Sequence, residues 1–275
     1  MIYALTLVFG LLIGSFLNVC IVRLPRGGSI VSPPSHCPRC KESIKFYDNI
    51  PVISFLLLRA KCRKCGLPIS WRYPLVELLN ALIYVWIVHE FWLGGESLLL
   101  MAFCSALIVI TFIDFDFQII PDAITLPGIL LGVTIAPFFL LSLNEPLPFQ
   151  LGHLFPHAGP YLNSFLNSVL GMLCGALPLL AIGWTWEKLR HVEAMGGGDV
   201  KLMGMVGSFL GWKGALLTIM IGALAGSVVG VGLIVLKRHK MDKIIPFGPF
   251  LALGSAVTAF YGPDIITWYL GLMRI

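Results

Sequence analysis

Charge is what this sequence has least of. Its 275 residues carry 19 Lys/Arg and 14 Asp/Glu, so only 12% are charged, where a soluble domain has about 25%. A soluble chain of this length covers one or two cores with charged surface, and there is too little charge here to do so. The deficit excludes an intrinsically disordered chain, a nucleic-acid-binding arm and an ordinary cytosolic enzyme. The net charge of +5 is thus no nucleic-acid signal, and no nucleic-acid partner is expected. No repeat, low-complexity tract or Gly-Lys-Ser/Thr phosphate loop is apparent. Residues 1–22 have no charged side chain, and the first basic residue, Arg23, follows the apolar run. A cleaved signal peptide has the opposite order, so this run reads as a retained span. The faint lipoprotein-box echo at Leu17-Asn18-Val19-Cys20 fails for the same reason.

What is present is apolar: 57% hydrophobic residues and a mean hydropathy of +0.90. Further apolar runs lie at about 74–92, 98–113, 123–142, 164–186, 200–212, 214–236 and 244–272. About 20 helical residues cross ~30 Å of hydrocarbon. Pro74, Pro121 and Pro246 stand near run starts, where a missing N–H costs little. The short run 200–212 decides the topology. A turn near Gly211-Trp212-Lys213-Gly214 puts residues 23–73, 187–201 and 237–243 on one side, with 17 of the 19 Lys/Arg. The positive-inside rule makes that side cytoplasmic. The expected fold is an all-α polytopic membrane protein with about eight transmembrane helices and both termini outside. Its expected parts are a first span at 1–22, a cytoplasmic zinc-binding domain at 23–73 and a transmembrane domain at 74–275. A proline-rich loop at 143–163, with His153 and His157, falls outside.

The long polar segment 23–73 holds ten Lys/Arg and only Glu42 and Asp48 as acids. It contains Cys37-Pro38-Arg39-Cys40 and Cys62-Arg63-Lys64-Cys65. Each pair offers two sulfurs at fixed separation, and the intervening chain can fold back to close a tetrahedral four-thiolate site. Arg39, Lys41, Lys61, Arg63 and Lys64 favour thiolates. Two disulfides would suit an oxidising compartment rather than the cytosol; a redox pair or an iron–sulfur cluster is less favoured than structural zinc. His36 reads as a bystander, and Cys20, Cys104 and Cys174 as small buried residues. Structural zinc contributes on the order of 10 kcal/mol to folding. The segment otherwise has only Phe46, Ile50, Val52, Ile53, Phe55 and Leu56 to Leu58 for a small core, or for an amphipathic face on the membrane surface.

A carboxylate within a span costs roughly 2.5–3.5 kcal/mol. Glu90, Glu96, Asp242 and Asp264 lie near run ends and can reach water. Glu77 opens the second span; it is either a snorkelling surface group or a buried support for a reaction site. Two stretches stand out. In Ile113-Asp114-Phe115-Asp116 the two aspartates point about 200° apart on a helix, so one faces inward and the other water, with the choice left open. Asp122, after Pro121, reads as a helix cap. In Met195-Gly196-Gly197-Gly198-Asp199-Val200-Lys201 the glycines permit close approach, and Asp199 opens a helix whose dipole favours a carboxylate. A flexible turn with a cap is the plainer alternative. Both stretches fall on the cytoplasmic side. Converging carboxylates share one proton: the ionised member takes a proton from attacking water, and the other donates to a peptide carbonyl. Neither stretch contains the His that a Ser–His–Asp mechanism needs. The run at 200–212 spans only ~20 Å, which places Asp199 below the membrane surface, at the floor of a wet cavity.

Gly14-Ser15-Phe16-Leu17-Asn18-Val19, the two C-x-x-C pairs with Asp48-Asn49-Ile50-Pro51 between them, Arg72-Tyr73-Pro74-Leu75-Val76-Glu77, Ile113-Asp114-Phe115-Asp116 with Ile120-Pro121-Asp122, Gly196-x-Gly198-Asp199 and Pro246-Phe247-Gly248-Pro249-Phe250 together resemble one family. It is the bacterial type IV prepilin peptidases, the GxGD-type leader peptidase/N-methyltransferases, and the likeness covers nearly the whole chain. The resemblance implies that Asp114 and Asp199 are the catalytic pair, with Glu77, Asp116, Asp122, Gly196, Gly198 and Lys201 supporting, and that Cys37, Cys40, Cys62 and Cys65 hold zinc. It implies an inner-membrane enzyme that removes the basic leader of prepilins and type II secretion pseudopilins. S-adenosylmethionine then methylates the new N-terminus. No glycine fingerprint marks an S-adenosylmethionine site, so no methyl-transfer residue is named. Segment 23–73 is too basic to attract a basic leader, and anionic lipid headgroups suit it better. The rival readings are a leader peptidase without methyl transfer and an ion-coupled transporter with Gly-broken helices.

Overall fold

The computed structural model describes residues 1–141, 159–190, 196–236 and 245–273. Among the described residues the regular structure is helical, with two isolated β-bridges. The chain forms two compact units, Met1–Ile113 and Asp114–Ile275.

The first unit contains α1 (Ile2–Arg23), α2 (Ile53–Leu57), α3 (Arg72–Phe91) and most of α4 (Gly95–Phe117). α1 and α3 run antiparallel with backbones touching: a Cβ at Gly10 or Gly14 would stand 2.6 Å from the Cα of Ala81 or Glu77. Buried amides and hydroxyls join the helices, as lipid-embedded polar groups must find partners within the protein. Asn18 Nδ2 donates to Tyr73 O (3.1 Å) and Asn80 Nδ2 to Gly10 O (2.8 Å). The Ser105 hydroxyl of α4 donates to Asn80 Oδ1 (2.9 Å) and lies 3.0 Å from Tyr84 OH.

Between α1 and α3 the two C-x-x-C loops are copies of each other. Cys37 N–H donates to Glu42 O and Lys41 N–H to Cys37 O; 25 residues on, Cys62 N–H donates to Leu67 O and Gly66 N–H to Cys62 O, all at 2.9 Å. Lys41 and Gly66 share a positive φ, 60° and 68°. The chain therefore does contain a repeat. It escapes notice in the sequence because residues 35–44 and 60–69 share only the two cysteines and Ile44/Ile69. Of the two alternatives for its apolar residues, a small core or an exposed apolar face, the exposed face accounts for most of them. Phe55 is buried against Trp71, 4.8 Å between ring centres, whereas Phe46, Ile53, Leu56 and Leu57 are exposed.

The second unit holds the end of α4, α5 (Asp122–Thr134), α6 (Ala136–Leu141), α7 (Pro160–Arg190), α8 (Gly197–Val235) and α9 (Gly248–Met273). α8 is continuous only in name. Gly211, at φ 72° and ψ −179°, adopts a conformation open mainly to glycine and reverses the chain. On α7, Gly171 lies against both Gly207 and Gly211, and one turn further Gly175 lies against both Met203 and Ala215. Both arms of α8 thus leave the break in the same direction, as the arms of a hairpin do. Among the described residues, six helices are long and apolar enough to cross a membrane. With α8 counted as two arms, and the shorter apolar stretch Asp122–Phe138 added, the apolar segments match the eight expected. Residues 142–158, with His153 and His157, and the basic stretch 237–243 lie outside the described residues. Cys20 and Cys104 are buried, but Cys174 on α7 is only half-buried.

Candidate active site and metal centre

α4 ends where Gln118 takes φ 55° and Pro121 follows. Its last turns carry Asp114 inward, 6% exposed, and leave Asp116 exposed. Gly248 N–H donates to Asp114 Oδ2 (3.0 Å). Gly248 is the first residue of α9, so a carboxylate at the C-terminal end of one helix is met by the first N–H of another, where a negative charge is favoured. A Cβ at Gly248 would stand 2.6 Å from that oxygen. Only glycine leaves room for the contact.

Asp199 lies in the first turn of α8, half-buried, with its N–H donating to Gly196 O (3.1 Å). Ile120 brings this turn to Asp114. A Cβ at Gly198 would stand 2.8 Å from Ile120 Cβ, and one at Gly248 would stand 3.3 Å from Ile120 Cδ1. Asp199 and Asp114 lie within electrostatic reach of each other. Asp122 does not cap α5, whose N-cap is Pro121 with no side-chain hydrogen bond. Instead Lys201 Nζ donates to both Asp122 oxygens (2.7 Å), which ties the start of α8 to the start of α5. Two carboxylates, one buried and one at a helix N-terminus, with a pinned backbone around them, can hold and polarise a water molecule.

In the first unit, the sulfurs of Cys37, Cys40, Cys62 and Cys65 all lie within 4.8 Å of one another, with Cys37 and Cys65 4.0 Å apart. A tetrahedral zinc with bonds of about 2.3 Å needs sulfurs about 3.8 Å apart, so the set fits. His36 is not among these donors; its Nδ1 faces Pro34 O at 3.3 Å. The N–H groups of Cys65 and Lys64 pull the Cys62 thiol down to about 7. At Cys40 the Glu42 N–H acts the same way, but burial and the neighbouring Cys37, Cys65 and Cys62 sulfurs outweigh it, raising the thiol to about 11. Four thiols this close cannot all ionise alone; a bound dication removes the conflict. Arg63 pairs with Asp48 and Lys64 with Glu42, so the segment's two acids are both neutralised.

Glu77 is no snorkelling surface group. It is 7% exposed, with Oε2 accepting from Val52 N–H (2.8 Å). Sequence reasoning missed two features. Gly248 stood in a recognised motif but without a role. Glu96, expected to reach water, is 4% exposed, and its Oε1 has no hydrogen-bond partner among the described residues.

Residues 8–91 match the model of the bacterial peptidase A24 N-terminal domain, and residues 101–231 that of the type IV leader peptidase family. The chain is 35% identical to a prepilin leader peptidase/N-methyltransferase of Aeromonas salmonicida, over 98% of this chain and 94% of that protein. It is 33% identical to one of Pseudomonas aeruginosa, over 96% and 92%. A Myxococcus xanthus protein of the same name is 38% identical over 82% of this chain and 61% of its own length. No solved structure matches.

Proposed function

The chain belongs to the type IV leader peptidase family, and from that premise we propose how its residues carry the reaction. The protein is a multi-pass membrane enzyme that cleaves prepilins and N-methylates the new amino terminus. In our reading Asp114 and Asp199 are the catalytic pair and hold one proton between them. The ionised carboxylate takes a proton from water as the oxygen attacks the scissile carbonyl carbon. The protonated one donates to the carbonyl oxygen, and collapse of the tetrahedral adduct releases the leader as the amine takes up a proton. The observation that carries this reading is the Gly248 N–H on Asp114, with Ile120 joining that contact to the turn bearing Asp199. Asp122 and Lys201 brace the turn from outside, and Gly196 and Gly198 keep side chains out of it.

Cys37, Cys40, Cys62 and Cys65 would hold zinc, a structural ion that closes the segment between α1 and α3. S-adenosylmethionine is the methyl donor of the second reaction, which we assign to the first unit because the dyad belongs to the second. Pseudopilins are further substrates. The basic segment faces the cytoplasm and its anionic lipid headgroups, the dyad opens to the same side, and the membrane is the bacterial inner membrane.

Membranes carrying the protein are incubated with a prepilin, with and without S-adenosylmethionine, and the products are weighed by mass spectrometry. Cleavage without donor and methylation of the cleaved product with it are expected. Substantial cleavage by Asp199→Asn would refute the two-aspartate mechanism.

A further inference from the structure

Six non-glycine residues among those described have a positive φ, and Val52 alone of them is β-branched. Its φ of 58° and ψ of −47°, with Ile53 N–H donating to Pro51 O, make it the centre of a γ-turn of the rare, strained hand. A β-branched residue there is a true outlier. Such a conformation persists only where its surroundings over-determine it, and it gathers at functional sites.

Glu77 supplies that determination. Its carboxylate receives the Val52 N–H from within the α1–α3 pair, with Gly14 leaving room for its backbone. The loop it holds is braced internally. Ile50 N–H donates to Ser54 Oγ (3.0 Å), which donates to Tyr47 O (2.9 Å). From the same loop Asp48 accepts Arg63 Nε (2.8 Å), inside the second C-x-x-C pair. A line of contacts thus runs from the membrane helices through Glu77, Val52 and Asp48 to the cysteine loops.

We propose that Glu77 is a positioning residue for methyl transfer: it clamps Val52 in the strained turn and so sets the Asp48-Asn49-Ile50-Pro51 loop against the cysteine loops. This rests on the assignment of methyl transfer to the first unit. A dedicated clamp explains why a buried carboxylate and a strained valine face each other, where a relaxed turn would join the elements without either.

The test uses the full-length protein in membranes. It measures zinc content, prepilin cleavage, methylation rates on a pre-cleaved pilin, and amide hydrogen exchange over residues 50–54. Glu77→Ala should lower the methylation kcat at least tenfold, with zinc retained, cleavage reduced less than threefold, and exchange faster. Glu77→Gln, whose amide oxygen still accepts the Val52 N–H, should keep at least half the rate. Adding Val52→Gly to Glu77→Ala should recover at least threefold, because glycine holds a positive φ with less need of a clamp. The proposal is overturned by methylation within twofold of wild type in Glu77→Ala, by a parallel loss of cleavage, or by a loss that neither Gln nor Val52→Gly repairs. Unchanged exchange in Glu77→Ala overturns the clamp on its own. A wild-type protein that cleaves but methylates nothing would instead refute the underlying assignment, and exchange would still judge the clamp.

Discussion

The cysteine segment and the aspartate cluster are built in opposite ways. Each C-x-x-C loop is about ten residues long, closes on its own backbone hydrogen bonds and occurs twice, 25 residues apart. The aspartate cluster has no such local unit: Asp114 ends α4, its donor Gly248 lies 134 residues away at the start of α9, and Asp199 opens α8. The first site depends on short-range spacing along the chain. The second depends on helices packing in register, so it should be more sensitive to small steric changes far along the chain.

The largest effect should come from the dyad. Asp114→Asn and Asp199→Asn should each cut cleavage by about 10²–10⁴-fold, the usual contribution of a general acid or base, with zinc content and methylation of a pre-cleaved pilin retained. If methylation fell with cleavage, the two regions would not be separate. Next, Gly248→Ala forces a Cβ to within 2.6 Å of Asp114 Oδ2. Small misplacements of this kind cost up to about 10²-fold, and initial cleavage rates would register a loss of roughly ten- to a hundredfold. Replacing Cys37 and Cys62 by Ser should abolish zinc binding in metal analysis and expose segment 23–73 to protease. Methylation should fall at least tenfold and cleavage by less, and an equal fall would dissolve the contrast.

Smaller effects should follow at the rim. Asp116 is exposed, and the Lys201–Asp122 pair is about half exposed, a setting in which ion pairs are worth about 0–1 kcal/mol. Asp116→Asn and Lys201→Met should therefore each change cleavage by less than about fivefold. The smallest concerns pH. Arg63, bonded to Asp48, holds that carboxyl below its ordinary 3.8. A lowered folded value means the contribution is complete above 3.8 and is lost as pH falls below it. Amide exchange over residues 47–54 should thus be flat through neutral pH and accelerate only in that acid range.

Much of this was legible in the sequence. The apolar runs locate both ends of α3, α4, α7 and α9 to within about four residues. The break at Gly211 fell inside the turn expected from charge balance. Four cysteines in two C-x-x-C pairs announced a metal-fitting cluster, because such a site is mostly a matter of spacing along the chain. Helix geometry could separate Asp114 from Asp116 but not choose between them, since the choice depends on which face α9 covers. Nor could the sequence show that Asp122 would leave its cap position for Lys201, that Glu77 would hold Val52, or that Gly248 would donate to Asp114. Each of these joins residues tens to more than a hundred positions apart. Periodicity and motif spacing record what a residue can do within its own helix or loop; only packing decides which distant backbone N–H or cation meets it, and in an apolar interior without water that partner determines what a buried carboxylate can do.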